Sequence, residues 1–296
     1  EADGLQYSGV INSVSVKEVT NADFSFTRGS AATRVTKDGL IKNVQILSDD
    51  LVQNGDFSQI GSEEVTNGDF SQISSELVTD GDFATDSNWT KGAGWTISNN
   101  LANFNGLGFN ALRQNVGLIT GKIYKVTFDL NITSGNVIFQ LGGATNTFNS
   151  SATHTFYDTA TANAAYSTFI SLYSSTSSIF SIDNVSVKEV GQNWTINDGF
   201  TVGDNKVICD GSQTVNTSVY QNIGSQSGKI IKFSFNVSNY ISGTLQTALF
   251  GAVGTQVNNI TSNGDYTFYI NVQSGHNGNT GFVALTDFVG DITNIS

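Results

Sequence analysis

The 296-residue chain has no proline, no methionine and one cysteine, and only 13 basic residues stand against 25 acidic ones. With Cys209 alone there is no intrachain disulfide, and no Cys/His spacing suits zinc, so stability has to come from burial or association. A net charge of −12 repels a phosphate backbone, which argues against nucleic acid as a partner. No apolar run approaches the ~20 residues of a membrane-spanning helix, and no basic-then-apolar signal segment opens the sequence, so membrane insertion is not expected. Histidine occurs only at His154 and His276, neither within a nucleophile or metal motif, and no catalytic residue is assigned. Without an initiating Met, and ending inside a repeated strand, the sequence reads as a processed or partial stretch of something longer.

What is present is repetition. Ile182-Asp183-Asn184-Val185-Ser186-Val187-Lys188-Glu189-Val190 has an earlier copy, Ile11-Asn12-Ser13-Val14-Ser15-Val16-Lys17-Glu18-Val19, and a cut version, Ile292-Thr293-Asn294-Ile295-Ser296. Val185 and Val187 alternate with Ser186 and Lys188, the period-two pattern of a half-buried strand, and the motif reads as the closing strand of a module. A second repeat puts Phe57, Phe70 and Phe83 thirteen residues apart, within Asn54-Gly55-Asp56-Phe57, Asn67-Gly68-Asp69-Phe70 and Asp80-Gly81-Asp82-Phe83. One such unit is too small to fold alone. The units read either as a shaft, in which neighbouring chains, three in the simplest case, share a core, or as a flexible linker.

From Leu77 to Val190 and from Gly191 to Ser296 the chain reads as two divergent copies of one module. Asn88-Trp89-Thr90 matches Asn193-Trp194-Thr195, and Gln114-Asn115-Val116-Gly117 matches Gln221-Asn222-Ile223-Gly224. Tyr124, Val126, Phe128, Leu130 and Ile132 alternate with polar residues, as do Ile231, Phe233, Phe235 and Val237, which suits antiparallel sheets buried on one face. No segment has a helical period. The expected fold is therefore all-β, with two tandem antiparallel β-sandwiches (77–190 and 191–296) preceded by a segment of thirteen-residue β-repeats (51–76). Residues 1–19 read as the closing strand of a preceding module and 20–50 as a connector, with a tight turn at Asp38-Gly39.

The Gly-Asp-Phe opening, Gly94-Trp95-Thr96 and the Ile-Asp-Asn-Val-Ser-Val close resemble jelly-roll carbohydrate-binding modules of families four and nine. The segment from Phe24-Ser25-Phe26-Thr27-Arg28-Gly29 to Gly39-Leu40-Ile41 resembles one that recurs in bacteriophage tail-fibre and other virion proteins. Together these resemblances imply a non-enzymatic virion appendage facing the outside of the particle, whose partners are host cell-surface polysaccharide and other virion proteins; the shaft reading of the repeats makes it a homotrimer. The rivals are an architectural virion decoration and a secreted adhesin or the non-catalytic part of a polysaccharide-degrading enzyme. The family's structural calcium maps onto Asp82 and Asp183 with the Gly81 carbonyl; two carboxylates fill only part of a six- to eight-oxygen shell, and the same residues also read as turn and strand-edge aspartates. Trp89, Trp95, Trp194 and Phe200, shared by both copies, suit core packing. The sugar-stacking candidates are the unshared tyrosines Tyr157, Tyr166, Tyr173, Tyr220 and Tyr240.

Overall fold

The computed structural model describes residues 12–16, 33–39, 41–43 and 52–296, so most of the expected 1–19 closing strand and 20–50 connector lies outside the described residues. The chain forms two compact units, Glu1–Glu63 and Glu64–Ser296. In the first, β1 (Thr33–Val35) pairs antiparallel with β2 (Ile41–Asn43). The turn falls at Asp38-Gly39, where Gly39 has φ 75° and donates its N–H to the Thr36 carbonyl at 2.9 Å.

The second unit holds both sandwiches. The first consists of β3 (Thr90–Lys91), β4 (Trp95–Ser98), β5 (Leu101–Leu107), β6 (Leu112–Asn115), β7 (Ile123–Ser134), β8 (Val137–Leu141), β9 (Ala144–Phe148), β10 (Ala152–Thr159), β11 (Phe169–Tyr173) and β12 (Ser177–Val190). The second consists of β13 (Thr195–Ile196), β14 (Phe200–Gly203), β15 (Lys206–Cys209), β16 (Thr217–Asn222), β17 (Ile230–Ser242), β18 (Leu245–Leu249), β19 (Asn259–Ile260), β20 (Gly264–Asn271), β21 (Asn279–Ala284) and β22 (Val289–Thr293). Each sandwich has two five-stranded sheets of identical order: β4-β5-β12-β7-β10 and β3-β6-β11-β8-β9 in the first, β14-β15-β22-β17-β20 and β13-β16-β21-β18-β19 in the second. All of these strand pairs are antiparallel.

Alternation determines which face is buried. Val126, Phe128 and Leu130 of β7, with Phe233, Phe235 and Val237 of β17, point into the two cores, while Thr127, Asp129, Ser234 and Asn236 between them do not. Trp89, Trp95, Trp194 and Phe200 are all buried, as their shared spacing implies. Cys209 lies in the second core, and burial pushes its thiol up to about 11. Lys206 reaches Asp291 at 2.7 Å, and Asn239 donates to the same carboxylate at 2.6 Å.

The thirteen-residue repeats differ from their sequence reading. They form neither a shaft nor a linker in the second unit: each is the opening head of a sandwich. Phe83 is 1% exposed in the first core, 5.2 Å from Trp89, and Phe70 is 2% exposed in the second, 5.2 Å from Trp194. The second sandwich therefore has a Gly-Asp-Phe head, supplied from before the first sandwich begins. Four backbone contacts repeat. Trp89 Nε1 donates to the Asp80 carbonyl and Trp194 Nε1 to that of Asn67, both at 3.0 Å. Gln114 grips Thr79 through its N–H and carbonyl, both at 2.8 Å, and Gln221 grips Thr66 likewise at 2.7 and 2.8 Å. The closing strand completes each clasp: Val185 N–H donates to the Gly81 carbonyl at 2.9 Å and Ile295 N–H to the Gly68 carbonyl at 3.0 Å.

These contacts explain the repeated residue types. A Cβ on Gly81 would lie 2.0 Å from the Val185 carbonyl oxygen, and one on Gly68 1.9 Å from that of Ile295, so only glycine fits. Phe70 and Phe83 have φ of 55° and 51°. The left-handed conformation costs roughly 1–2 kcal/mol, and burying a phenylalanine returns about 1.5–3 kcal/mol. The heads are thus nested, with the later one serving the first sandwich and the earlier one the second.

Between heads the chain adds an edge to β12. Ile73 bridges Val190, Ser74 N–H donates to the Glu189 carbonyl and Leu77 N–H to that of Val187. Glu76 accepts from Val187 N–H at 2.8 Å and from the Ser186 hydroxyl at 2.6 Å. Ile123 and Val190, paired at the ends of β7 and β12, contribute to the second core and join the sandwiches.

Candidate functional site

The first sandwich carries a cleft of about 290 Å³ against the sheet β3-β6-β11-β8-β9, lined by Phe109, Arg113, Gln140, Asn163, Ala164, Ala165, Tyr166 and Tyr173. Strand alternation builds it. In β6 Leu112 is buried and Arg113 faces the other way; in β11 Ile170 and Leu172 enter the core while Tyr173 does not; in β8 Phe139 and Leu141 enter and Gln140 does not. Arg113 lies in register with Ser171, and Ser171 with Gln140, so three polar side chains cross adjacent strands in one row. Ser171, the middle member of this row, is buried and its hydroxyl has no protein partner.

Aromatic rings form the walls. Phe109, 71% exposed in the turn after β5, lies 5.8 Å from Tyr173. The Arg113 guanidinium sits 4.3 Å from the centre of the Tyr166 ring, which packs edge-on against Phe169 at 5.5 Å. Asn163 Oδ1 accepts the Ala165 and Tyr166 N–H groups at 3.0 and 3.1 Å, fixing the loop that presents Tyr166. Arg113 Nε is buried without an acceptor. An unpaired buried donor costs roughly 1–3 kcal/mol. The arrangement offers flat apolar faces beside planar hydrogen-bonding groups, the chemistry of a polyhydroxylated ring ligand.

Of the five tyrosines singled out from the sequence, the structure brings two together, Tyr166 and Tyr173. Tyr157 lies between the sandwiches, against Gly203, with its hydroxyl donating to Asp204 at 3.3 Å. Tyr240 packs on the second core and donates to the Gly243 carbonyl at 3.0 Å. Tyr220 occupies on β16 the place of Arg113 on β6, paired with Gly281 where Arg113 meets Ser171, and its ring rests 5.1 Å from Phe250. Phe109, Arg113, Gln140 and Asn163 were not singled out. The available signal was Phe109, a large apolar residue inside Gly106-Leu107-Gly108-Phe109-Asn110, where a turn needs none.

Each of the expected calcium donors already accepts a hydrogen bond within the protein. The Gly81 carbonyl already accepts from Val185, Asp82 accepts from Ala84 N–H at 3.4 Å, and Asp183 accepts from Asn184 N–H at 2.7 Å. Asp183 is instead in register with Asp129 in β7, whose carboxyl is held below the usual range by the Thr153 hydroxyl and the Asn184 amide. Among the described residues no three His, Cys, Asp or Glu side chains are grouped to hold a metal. Two carboxylates and one carbonyl supply only part of a six- to eight-oxygen shell. The expected outcome is an unchanged melting temperature in EDTA, measured by calorimetry; a fall of several degrees would establish a structural ion.

His276 is buried, its Nδ1 accepting from Gln226 N–H and its Nε2 therefore donating to the Asn279 carbonyl, each at 3.0 Å. His154 packs on Phe148 at 4.6 Å, and its Nε2 contacts the Ser150 carbonyl.

No family model and no curated protein matches the chain. Among solved structures it is similar to one described as "CBM4 structure and function", with 18% identity, 42% of this chain and 98% of that chain covered, and a TM-score of 0.26.

Proposed function

We propose that the chain is a non-catalytic glycan-binding protein and that its first sandwich holds a saccharide in the cleft of Phe109, Tyr166 and Tyr173. The supporting observation is the convergence there of the exposed Phe109 ring and the half-buried Tyr166 and Tyr173 rings with Arg113, Gln140 and Asn163. Rings of this kind stack on the apolar face of a sugar, and the polar row reads its hydroxyls. The second sandwich has Tyr220 over Gly281 in the corresponding place and no such polar row, so the two sandwiches are unequal in this reading.

The test is titration with a panel of soluble polysaccharides. Phe109→Ala and Tyr173→Ala should each weaken binding about tenfold or more, equivalent to roughly 1.4 kcal/mol. Ile241→Ala, at an exposed position on the second sandwich, should leave it unchanged. No binding by the wild-type chain to any glycan would leave the architectural reading, a virion decoration protein.

The wider setting rests on the resemblance of the Phe24 to Ile41 segment to phage tail-fibre and other virion proteins. In that setting the chain is part of an extracellular-facing virion appendage, a homotrimer that touches host surface polysaccharide and other virion proteins. Several copies on one appendage would raise avidity without new contacts. Light scattering tests the assembly against the 31.5 kDa of one chain.

A further inference from the structure

The head at residues 54–57 has the shape of the other two without their surroundings. Ser58 N–H and Oγ donate to Asp56 Oδ1 at 3.1 and 2.9 Å, as Ser71 does to Asp69 at the same distances. Gln59 N–H donates to Asn54 Oδ1 at 2.7 Å, as Gln72 does to Asn67 at 3.0 Å. Asn54 and Phe57 have φ of 51° and 55°, matching 55° and 55° at Asn67 and Phe70. A closing strand is in place too, with Val14 N–H donating to the Gly55 carbonyl, and a Cβ on Gly55 would collide with the Val14 carbonyl.

Among the described residues no sandwich body surrounds this head. Phe57 is 61% exposed where Phe70 and Phe83 are buried. It holds the left-handed conformation without the burial that offsets it elsewhere, and strain of this kind points to a binding role. Its own side chains, not a docked body, maintain the shape.

We propose that residues 54–57 are a docking element for a further β-sandwich body of this same class, one that has no head of its own. Such a body carries a tryptophan and a glutamine where the second sandwich has Trp194 and Gln221. Phe57 enters its core, the Asn54 carbonyl accepts the indole N–H, and the backbone of Gln53 takes the glutamine amide, as Phe70, Asn67 and Thr66 do in the second sandwich. The specificity comes from a shape and three hydrogen bonds already present twice in the chain.

The second sandwich, stripped of its head, is the probe. In the full chain Gly68→Val places a side chain against the Ile295 carbonyl and expels residues 67–70, and Gly55→Val disables residues 54–57 in the same way. Calorimetric melting of the two single variants and the double variant forms a thermodynamic cycle. Gly55→Val alone should leave the sandwiches unchanged. If residues 54–57 dock, with the Ile295 strand replacing Val14 at the Gly55 carbonyl, Gly68→Val is partly rescued, and adding Gly55→Val lowers the melting of the second sandwich further, by roughly 5 °C or more. Rescue within one chain or between two copies, distinguished by mass, supports the proposal equally, since either body is headless. Additive effects overturn it. Should Gly68→Val fail to fold, Phe70→Ala and Phe57→Ala run the same cycle with the backbone intact.

Discussion

Phe83→Ala should destabilise the first sandwich by roughly 3–5 kcal/mol, and Phe70→Ala should do the same to the second. Phe57→Ala should change neither by more than about 0.5 kcal/mol. Sequence gives no reason for the difference, because all three residues end the same Gly-Asp-Phe unit. The difference comes from the surroundings. Phe83 and Phe70 are each sealed in a core against a tryptophan 5.2 Å away, so truncation leaves a cavity that the rigid sheets cannot close. Urea unfolding of the three variants, followed by tryptophan fluorescence, measures the contrast. Equal, small effects at all three positions would return the repeats to a linker.

Lys206→Met should cost the second sandwich roughly 3 kcal/mol, the lower end of the range for breaking a buried pair. Asp291 is 6% exposed, and without Lys206 its charge keeps only the amide of Asn239. The lysine is itself partly exposed, which holds the loss at the lower end. Lys206→Met combined with Asp291→Leu should recover most of it, since an apolar pair avoids the desolvation of two ions. Chemical denaturation of both variants decides the matter, and a double variant less stable than the single one would contradict it.

The strands were legible because a half-buried sheet writes its alternation directly into residues such as Val126, Phe128, Phe233 and Phe235. The duplication was legible because both copies must keep the same core, and Trp89 and Trp194 mark it. The partners of the heads were not legible. Residues 67–70 and 80–83 are so alike that nothing local says which closing strand each one meets, and adjacency in sequence favours the wrong pairing for the earlier head. The cleft was half legible. Choosing aromatics that the copies do not share found Tyr166 and Tyr173, because ligand surfaces diverge while cores persist. The same rule also gathered Tyr157, since a contact between sandwiches is equally unshared, and it passed over Arg113 and Gln140, whose meaning depends on a register between strands far apart in the chain.

The order in which the clasps close has a consequence in time. During synthesis Phe70 emerges before any strand of the first sandwich, yet the backbone that completes its clasp, at Ile295, comes 225 residues later. At roughly 5–20 residues per second, that phenylalanine waits uncovered for many seconds while the first sandwich is made and shut. The aspartate and asparagine turns that hold residues 67–72 in shape keep the head ready through this delay. Heads laid down in one order are consumed in the reverse order, so the sandwich opened first is sealed only when everything nested within it has left the ribosome.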